Sequence, residues 1–415
     1  MTKSASHPLD TTQYTLQRRP LHPDKPNADL ISVLGYGAMR FPTNLGIIDE
    51  QKATKQLRYA IDSGLNYIDT AYFYHGGQSE KFLGKALKDG YREKVLIATK
   101  MPPWLVSKPE DLERIFSNQL KNLQTEVIDY YLLHALNHEN WNKFKQLDVL
   151  AFLEEKRAKG HIRHIGFSFH GDRVLFKEIV DDYKWDFCQI QYNFLDEYVQ
   201  AGKEGLEYAF NKGLGVFVME PLRGGTLAKR QPKGVQKLYS EYKVQRSPAE
   251  WALRWVWEHP QVTMLLSGMT EDEHVFQNIA LASQQSETWL TQEEKKLMLS
   301  VQSIYKEGQK VPCTACQYCM PCPVAVDIPR CFELYNAKYL LEQPVKAFYW
   351  IQLGGVNGKP QHASLCIDCG KCVKLCPQSI AIPQVLKAVA KDLEGPIMRP
   401  TIKMLRAVSK PFSKK

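Results

Sequence analysis

No window of this chain reaches the roughly 18 consecutive apolar residues of a membrane-spanning helix, so the sequence excludes a span. The first residues are polar, with His7, Asp10 and Arg18-Arg19, and lack the apolar core of a secretory signal. Cysteine is scarce outside two short runs: only Cys188 and Cys331 stand apart, each expected to be a buried thiol. That distribution excludes a disulfide framework spread along the chain, and reduced thiols fit a cytoplasmic location. Heptads are missing too, which leaves a monomer as the expectation. Acidic residues are sparse at the C-terminal end, where Lys387 to Lys415 holds eight Lys or Arg against two acids. A solvated basic tail over residues 386–415 is expected there, and no nucleic-acid surface. With 44% hydrophobic and 24% charged residues, disorder is excluded for most of the 415 positions.

What the chain does contain is a repeated alternation of short apolar runs and amphipathic stretches. Residues 1–30 read as an arm with a small hairpin around Tyr14 to Gln17. Strands are then expected at Ile31 to Gly37, Tyr67 to Asp69, Val95 to Lys100, Ile128 to His134, Ile162 to Ser168, Phe187 to Gln191, Gly215 to Met219 and Thr263 to Leu266. Helical spacing fills the intervals: Asp49 to Ser63 with Asp49 as cap, then Ser79 to Leu87, Asp111 to Leu123, Val149 to Lys159, Arg173 to Asp182, Gly202 to Lys212, Pro248 to Glu258 and Glu271 to Leu281. Eight such units within residues 31–290 predict an α/β fold, a (β/α)8 TIM barrel, whose chemistry belongs at the C-terminal ends of its strands. Polar residues stand at those ends: Asp69, Lys100, His134, Ser168, Gln191 and Glu220.

The remaining chemistry is in sulfur. Cys313, Cys316, Cys319 and Cys322 precede Pro323, and Cys366, Cys369, Cys372 and Cys376 precede Pro377. Thiolates two residues apart followed by a fourth and a proline form the run that binds 4Fe-4S clusters in bacterial ferredoxins. Zinc is a competing reading, though its sites usually separate two Cys pairs by a longer loop. Disulfides compete less well, because neighbouring thiols in tight turns rarely reach the required geometry. A linker helix from Thr291 to Lys306 and further helices at Ile328 to Leu341 and Val345 to Leu353 make residues 291–385 a mainly helical, ferredoxin-like iron-sulfur domain.

The strand-two end reads Asn66-Tyr-Ile-Asp69-Thr-Ala-Tyr-Phe-Tyr74, and here the chain resembles the aldo/keto reductases, whose signature is Asp-Thr-Ala, two residues, then Tyr. The resemblance continues through Gly35-Tyr-Gly-Ala-Met-Arg40, Ala98-Thr-Lys100, Tyr130-Tyr-Leu-Leu-His134, Gly166-Phe-Ser168, Gln189-Ile-Gln-Tyr-Asn193, Pro221-Leu222 and Ser267-Gly-Met269 with Asn278. With both Cys runs appended, the chain is similar to the branch that carries a C-terminal two-cluster ferredoxin-type domain.

The resemblance implies an oxidoreductase that moves hydride between NADP(H) or NAD(H) and a small carbonyl or alcohol substrate. Tyr74 would be the general acid, Lys100 the cation beside it, Asp69 the partner of Lys100, and His134 the hydrogen-bond donor to the substrate oxygen. It assigns Ser168 and Gln189 to the nicotinamide carboxamide. Pro221, Leu222, Gly224, Gly225, Ser267, Gly268, Met269 and Asn278 would hold the phosphates and adenosine, with Arg223 nearby. Three positions depart from the pattern: Phe169, Met219 and His274. Met39, Trp104 and Trp141 are expected to line the substrate pocket. The pattern of two-cluster ferredoxins implies crossed ligation, with Cys376 joining Cys313, Cys316 and Cys319, and Cys322 joining Cys366, Cys369 and Cys372. Cys331 is the substitute for Cys322. Two further readings stand beside this one: an electron-transfer oxidoreductase served by a ferredoxin-like partner and a barrel-bound nicotinamide or flavin, and a non-enzymatic redox-sensing nucleotide binder.

Overall fold

The computed structural model describes residues 14–24, 29–229, 231–284, 286, 288–341, 344–353 and 360–395. Most of the expected arm and basic tail lies outside them. The described residues divide into two units: Met1–Pro221 with Glu250–Thr291, and Leu222–Ala249 with Gln292–Lys415.

The first unit is a closed barrel of eight parallel strands. These are β1 (Leu34–Gly37), β2 (Tyr67–Asp69), β3 (Leu96–Met101), β4 (Ile128–Leu136), β5 (Ile162–Phe169), β6 (Phe187–Gln191), β7 (Gly215–Met219) and β8 (Met264–Ser267). Each pairs with its successor in sequence, and β8 closes on β1 through Leu266 opposite Gly35. The expected first strand breaks at Val33. Its first half, Leu30–Ser32, pairs antiparallel with Arg18–Pro20, so the hairpin lies a few residues beyond Tyr14 to Gln17. Side-chain bonds force the break: Ser32 Oγ donates to Leu34 O at 2.7 Å, and Asn66 Oδ1 accepts from Ser32 N at 2.8 Å.

Residues alternate between barrel interior and outer layer along each strand. The interior floor is Tyr67, Ala98, Tyr130, Leu132, Phe187, Phe217, Met264 and Leu266, closed from below by Leu21 and Ile31. Tyr67 meets Tyr130 and Phe217 edge to face, each at 5.1 Å between centroids. Burying each such side chain contributes roughly 1.5–3 kcal/mol. A Cβ on Gly215 would meet Leu21 Cδ1 at 2.4 Å, so the plug fits because β7 opens with glycine. Period two then carries the interior face upward from this floor to Asp69, Lys100, His134, Ser168 and Gln189.

The helices of the outer layer form as capping and spacing require. The first, α1 (Glu50–Asp62), is capped by Asp49, which accepts from Lys52 N at 3.0 Å, and buries Ala53, Leu57, Ala60 and Ile61. It is followed by α2 (Ser79–Ala86) and α3 (Pro109–Leu123). The latter starts two residues before the expected Asp111, because Asp111 is the third residue of its capping box and accepts from Ser107 N and Lys108 N. Next comes α4 (His138–Gln146), which the spacing analysis missed. Asn137 caps it, and Trp141 and Phe144, three apart, are both buried. The outer layer is completed by α5 (Val149–Ala158), α6 (Arg173–Asp182) and α7 (Gly202–Asn211).

The second unit takes α8 (Lys233–Glu241), another helix the sequence reading missed; α9 (Pro248–Trp257) starts at the end of that unit, and α10 (Asp272–Ala282) lies in the first. In the second unit α8 packs on α11 (Gln292–Gly308): Gly234 faces Ile304, and Tyr239 OH reaches Met298 Sδ at 3.9 Å. This pairing groups Leu222–Ala249 with the second unit, within the 31–290 bounds expected for the barrel domain. Further along, α12 (Ile328–Leu340), α13 (Lys346–Leu353), α14 (Lys371–Leu375) and α15 (Ile382–Val389) surround one apolar core that includes Val326, Phe332, Trp350, Leu386 and Leu393. Pro329 sits in the first turn of α12 as expected. Within that core Glu394 is fully buried, accepting from Tyr349 OH at 3.0 Å and Ser364 N at 2.9 Å beside His362. No helix among the described residues is long and apolar enough to cross a membrane.

Candidate functional site

At the top of the barrel Lys100 Nζ lies 2.7 Å from Asp69 Oδ1 and donates to Thr70 O, also at 2.7 Å. Both side chains are buried. Adjacent strands set the pair: Asp69 lies opposite Ala98 in register, and Lys100 is two residues on, on the same face. Thr70 is itself fixed, its N–H donating to Ala98 O and its hydroxyl sharing a 2.8 Å hydrogen bond with Ser79. Burial pushes the lysine down and the aspartate up, each opposed by the other's charge and their hydrogen bond.

Tyr74 follows β2 in a tight turn whose next residues, His75, Gly76 and Gly77, all have positive φ. Its ring centroid is 5.1 Å from Lys100 Nζ and 6.3 Å from the His134 ring. His134 is enclosed by aromatic rings: Phe73 stacks at 5.5 Å and Trp104 lies at 5.2 Å. Burial first, then the charges of Lys100 and His170, hold its pKa well below 6.5. The imidazole is therefore neutral at physiological pH, and its Nδ1 has no hydrogen-bond partner among the described residues. Asp69, Tyr74, Lys100 and His134 thus converge on one mouth.

A second buried carboxyl, which the sequence reading missed, lies behind Lys100. Glu80 accepts from Thr99 Oγ1 at 2.6 Å and Gln119 Nε2 at 3.0 Å, and Gln119 also donates to Lys100 O at 2.9 Å. Tyr131 OH donates to Gln119 Oε1. This network pins the backbone that carries the lysine. The signal was Glu80 and Gln119, polar residues on the inner faces of α2 and α3, which amphipathic spacing would have left apolar.

Around the rim, Ser168 Oγ accepts from Ala135 N at 2.8 Å, where β4 bulges and Ala135 takes φ 52°. Gln189 is buried; its Nε2 lies 3.7 Å from Met219 Sδ and its Oε1 has no partner among the described residues. An orphaned interior acceptor fits a ligand with an amide donor. Phe169 turns outward onto Phe176 and leaves the mouth. Gln191 and Asn193 instead brace the following loop through Asp196. Ser267 Oγ accepts from Asn278 Nδ2 at 3.0 Å, joining β8 to α10, with Gly268 exposed and Met269 buried between them. The start of α10 is acidic, with Glu271, Asp272 and Glu273, and His274 Nδ1 accepts from Glu271 N. That dipole end already carries the chain's own carboxylates.

Other expectations separate from this mouth. Trp141 packs against Trp185 in the outer layer and donates to Asp182, so it lines no pocket here. Pro221 ends the barrel unit, while Leu222, Gly224 and Gly225 belong to the second. Both glycines have positive φ, 63° and 89°, a conformation that side chains resist. Arg223, just before them, is buried rather than exposed. Cys188 faces the outer layer.

In the second unit the thiols sort into two groups across the two runs. Cys313, Cys316, Cys319 and Cys376 line one small open cavity with Ile328, Phe332, Ile380 and Ile382. Burial and the neighbouring Cys316, Cys313 and Cys376 push the Cys319 thiol up to about 12. Cys372 is likewise raised by burial and by Cys366, Cys369 and Cys322. Among the described residues no three His, Cys, Asp or Glu side chains converge on a point for a single metal ion. Thiols standing around a cavity suit a polyatomic group. Cys331 is buried against Tyr349 OH at 3.7 Å and Gln361 O at 3.9 Å.

Comparison with known families agrees with this geometry. The model of the aldo/keto reductase family matches residues 33–295, well over half of the chain. The chain belongs to the aldo/keto reductase family. A second model, the 4Fe-4S dicluster domain, matches residues 312–381. This aldo/keto reductase is therefore an oxidoreductase barrel joined to an iron-sulfur domain. It is 27% identical over 320 residues to the NADH-specific methylglyoxal reductase of Escherichia coli (strain K12), covering 66% of this chain and 92% of that one. It is 25% identical over 291 residues to the L-galactose dehydrogenase of Arabidopsis thaliana, covering 63% and 88%. Among solved structures, the holo form of aldo-keto reductase AKR11C1 from Bacillus halodurans superposes with a TM-score of 0.58 at 26% identity, covering 69% of this chain and 96% of that one.

Proposed function

We propose that the barrel reduces a small carbonyl compound with hydride from a bound nicotinamide nucleotide, and that Tyr74 protonates the product oxygen. The observation that carries this reading is the buried Asp69 and Lys100 pair beside Tyr74, with neutral His134 across the mouth. The nucleotide supplies two electrons as hydride when bound. As negative charge develops on the carbonyl oxygen, His134 donates a hydrogen bond to it and Tyr74 gives its proton. Lys100 stabilises the resulting phenolate, Asp69 holds Lys100 in place, and Phe73 and Trp104 exclude water from the reacting atoms. Ser168 and the orphaned Gln189 Oε1 suit the carboxamide. Pro221, Ser267, Gly268, Met269 and Asn278 are the barrel unit's own residues for the rest of the nucleotide.

The adenosine end favours NADH over NADPH. Glu271, Asp272 and Glu273 outnumber Lys52, which is already paired with Glu271 at 2.6 Å, and Arg40, whose side chain lies against Gly268, and no arginine stands at His274 for a 2′-phosphate. In the second unit, Cys313, Cys316, Cys319 and Cys376 would hold one 4Fe-4S cluster, and Cys322, Cys366, Cys369 and Cys372 the other. Those clusters pass electrons singly. A second reading, in which they exchange electrons with a protein partner and the barrel holds nicotinamide or flavin, is favoured by the exposure of Cys369.

The test is steady-state reduction of methylglyoxal and larger aldehydes by full-length protein purified without oxygen. Turnover with NADH at a kcat/KM at least about tenfold above NADPH is expected, a difference of about 1.4 kcal/mol. Failure to oxidise either nucleotide with any carbonyl would reject the reading.

A further inference from the structure

The two thiol groups differ in what covers them. The group of Cys313 lies in a cavity walled by apolar side chains, whereas Cys369 of the other is exposed. Around Cys369 the surface is apolar where solvent would favour polar residues. Ile367 is 63% exposed, Leu375 56% and Val373 39%, three large apolar side chains within nine residues. Lys371 and Lys374 stand among them, exposed, and neither makes an ion pair among the described residues. The neighbouring Asp368 is already paired with Lys387. The short helix α14 thus presents an apolar centre with two uncompensated cations directly over a thiol group.

We propose that this face is the docking surface for an acidic electron-carrier protein. The inference rests on the reading that the second thiol group holds a cluster open to exchange with a partner. Charge chooses the occupant. Two unpaired lysines favour a carboxylate-rich face, and they repel the chain's own C-terminal segment, whose residues 396–415 hold six Lys or Arg and no acid. Three apolar side chains cover too little area for a permanent complex and suit a transient one burying under about 1,200 Å². An anionic lipid surface would use the cations, but it gives no role to a thiol group at the centre.

The experiment is calorimetric titration of full-length, iron-loaded protein with a purified acidic 2Fe-2S ferredoxin as probe. Saturable binding is expected that weakens about tenfold or more between low salt and 0.3 M salt. The double variant Lys371→Glu/Lys374→Glu should lose at least about tenfold in affinity and Leu375→Ser about threefold, with iron content and carbonyl reduction unchanged. Equal binding by the double variant overturns the proposal. So does a preference for a basic c-type cytochrome, binding to phosphatidylserine vesicles in place of the ferredoxin, or self-association that depends on the same residues. Iron analysis of the same samples separates the two failures. Protein that never loads iron overturns the cluster reading, and iron-loaded protein that ignores the ferredoxin overturns the docking surface.

Discussion

The barrel mouth and the thiol unit solve the same problem, holding reactive groups in fixed positions, by opposite means. In the barrel the reactive side chains project from strand ends, and the ladder that builds the fold also sets their spacing. Asp69 and Lys100 meet because β2 and β3 are in register. The thiols stand on irregular backbone instead, with Ala315, Gln317, Asp368 and Gly370 at φ between 56° and 70°. Their positions depend on an apolar core behind them and on side chains that tie loops to it. A site on regular structure is complete as folded; a site on loops gains its order from what it binds.

That contrast can be broken at either end. The largest effect is expected in the barrel. Lys100→Met should slow carbonyl reduction by about 10²–10⁴-fold, because Tyr74 loses its cation. It should also destabilise the barrel by about 3–5 kcal/mol, since Asp69 is left buried without a countercharge. Stopped-flow rates and chemical denaturation check the two parts, and a variant as stable as the parent would refute the buried-pair argument.

In the second unit Glu394 plays the part that strand register plays in the first. Burial alone would raise its pKa, but His362 and Ser364 outweigh it and hold it down to about 2. The sign follows: stability is present above the ordinary value of 4.5 and is lost as pH falls from there toward 2. Glu394→Gln should cost about 1–3 kcal/mol in this unit while leaving carbonyl reduction intact. It should also remove the acid sensitivity, read as an unfolding signal from Trp350. Equal losses in both units would erase the contrast.

The smallest effect sharpens the contrast by its absence. Since burial holds the His134 pKa well below 6.5, the pH profile of kcat/KM should run flat through that value. An inflection near 6.5 would mean that His134 is less enclosed than Phe73 and Trp104 make it.

The same contrast explains what could be read without coordinates. The barrel strands were legible because period-two alternation marks the interior face, and that face carries both the Tyr67 floor and the Asp69 to Gln189 top. Where side chains replace ladder bonds the signal vanished, as at Val33, where Ser32 and Asn66 break the first strand. Helix α4 was missed because two buried residues in a polar stretch look like loop aromatics, and Trp141 was misplaced with it. The pattern of two-cluster ferredoxins implied a crossed grouping of the eight thiols, but not that Cys331 is buried behind Tyr349. Nor could it show that α8 meets α11 across some fifty residues of chain.

The central claim is that the barrel's own acid completes the reaction whatever the thiol unit does. Comparing Tyr74→Phe with the parent at equal iron content tests it most directly. The account predicts a fall in kcat/KM of about 10³-fold or more, with NADH affinity and cluster absorbance unchanged. Undiminished turnover in that variant would contradict it.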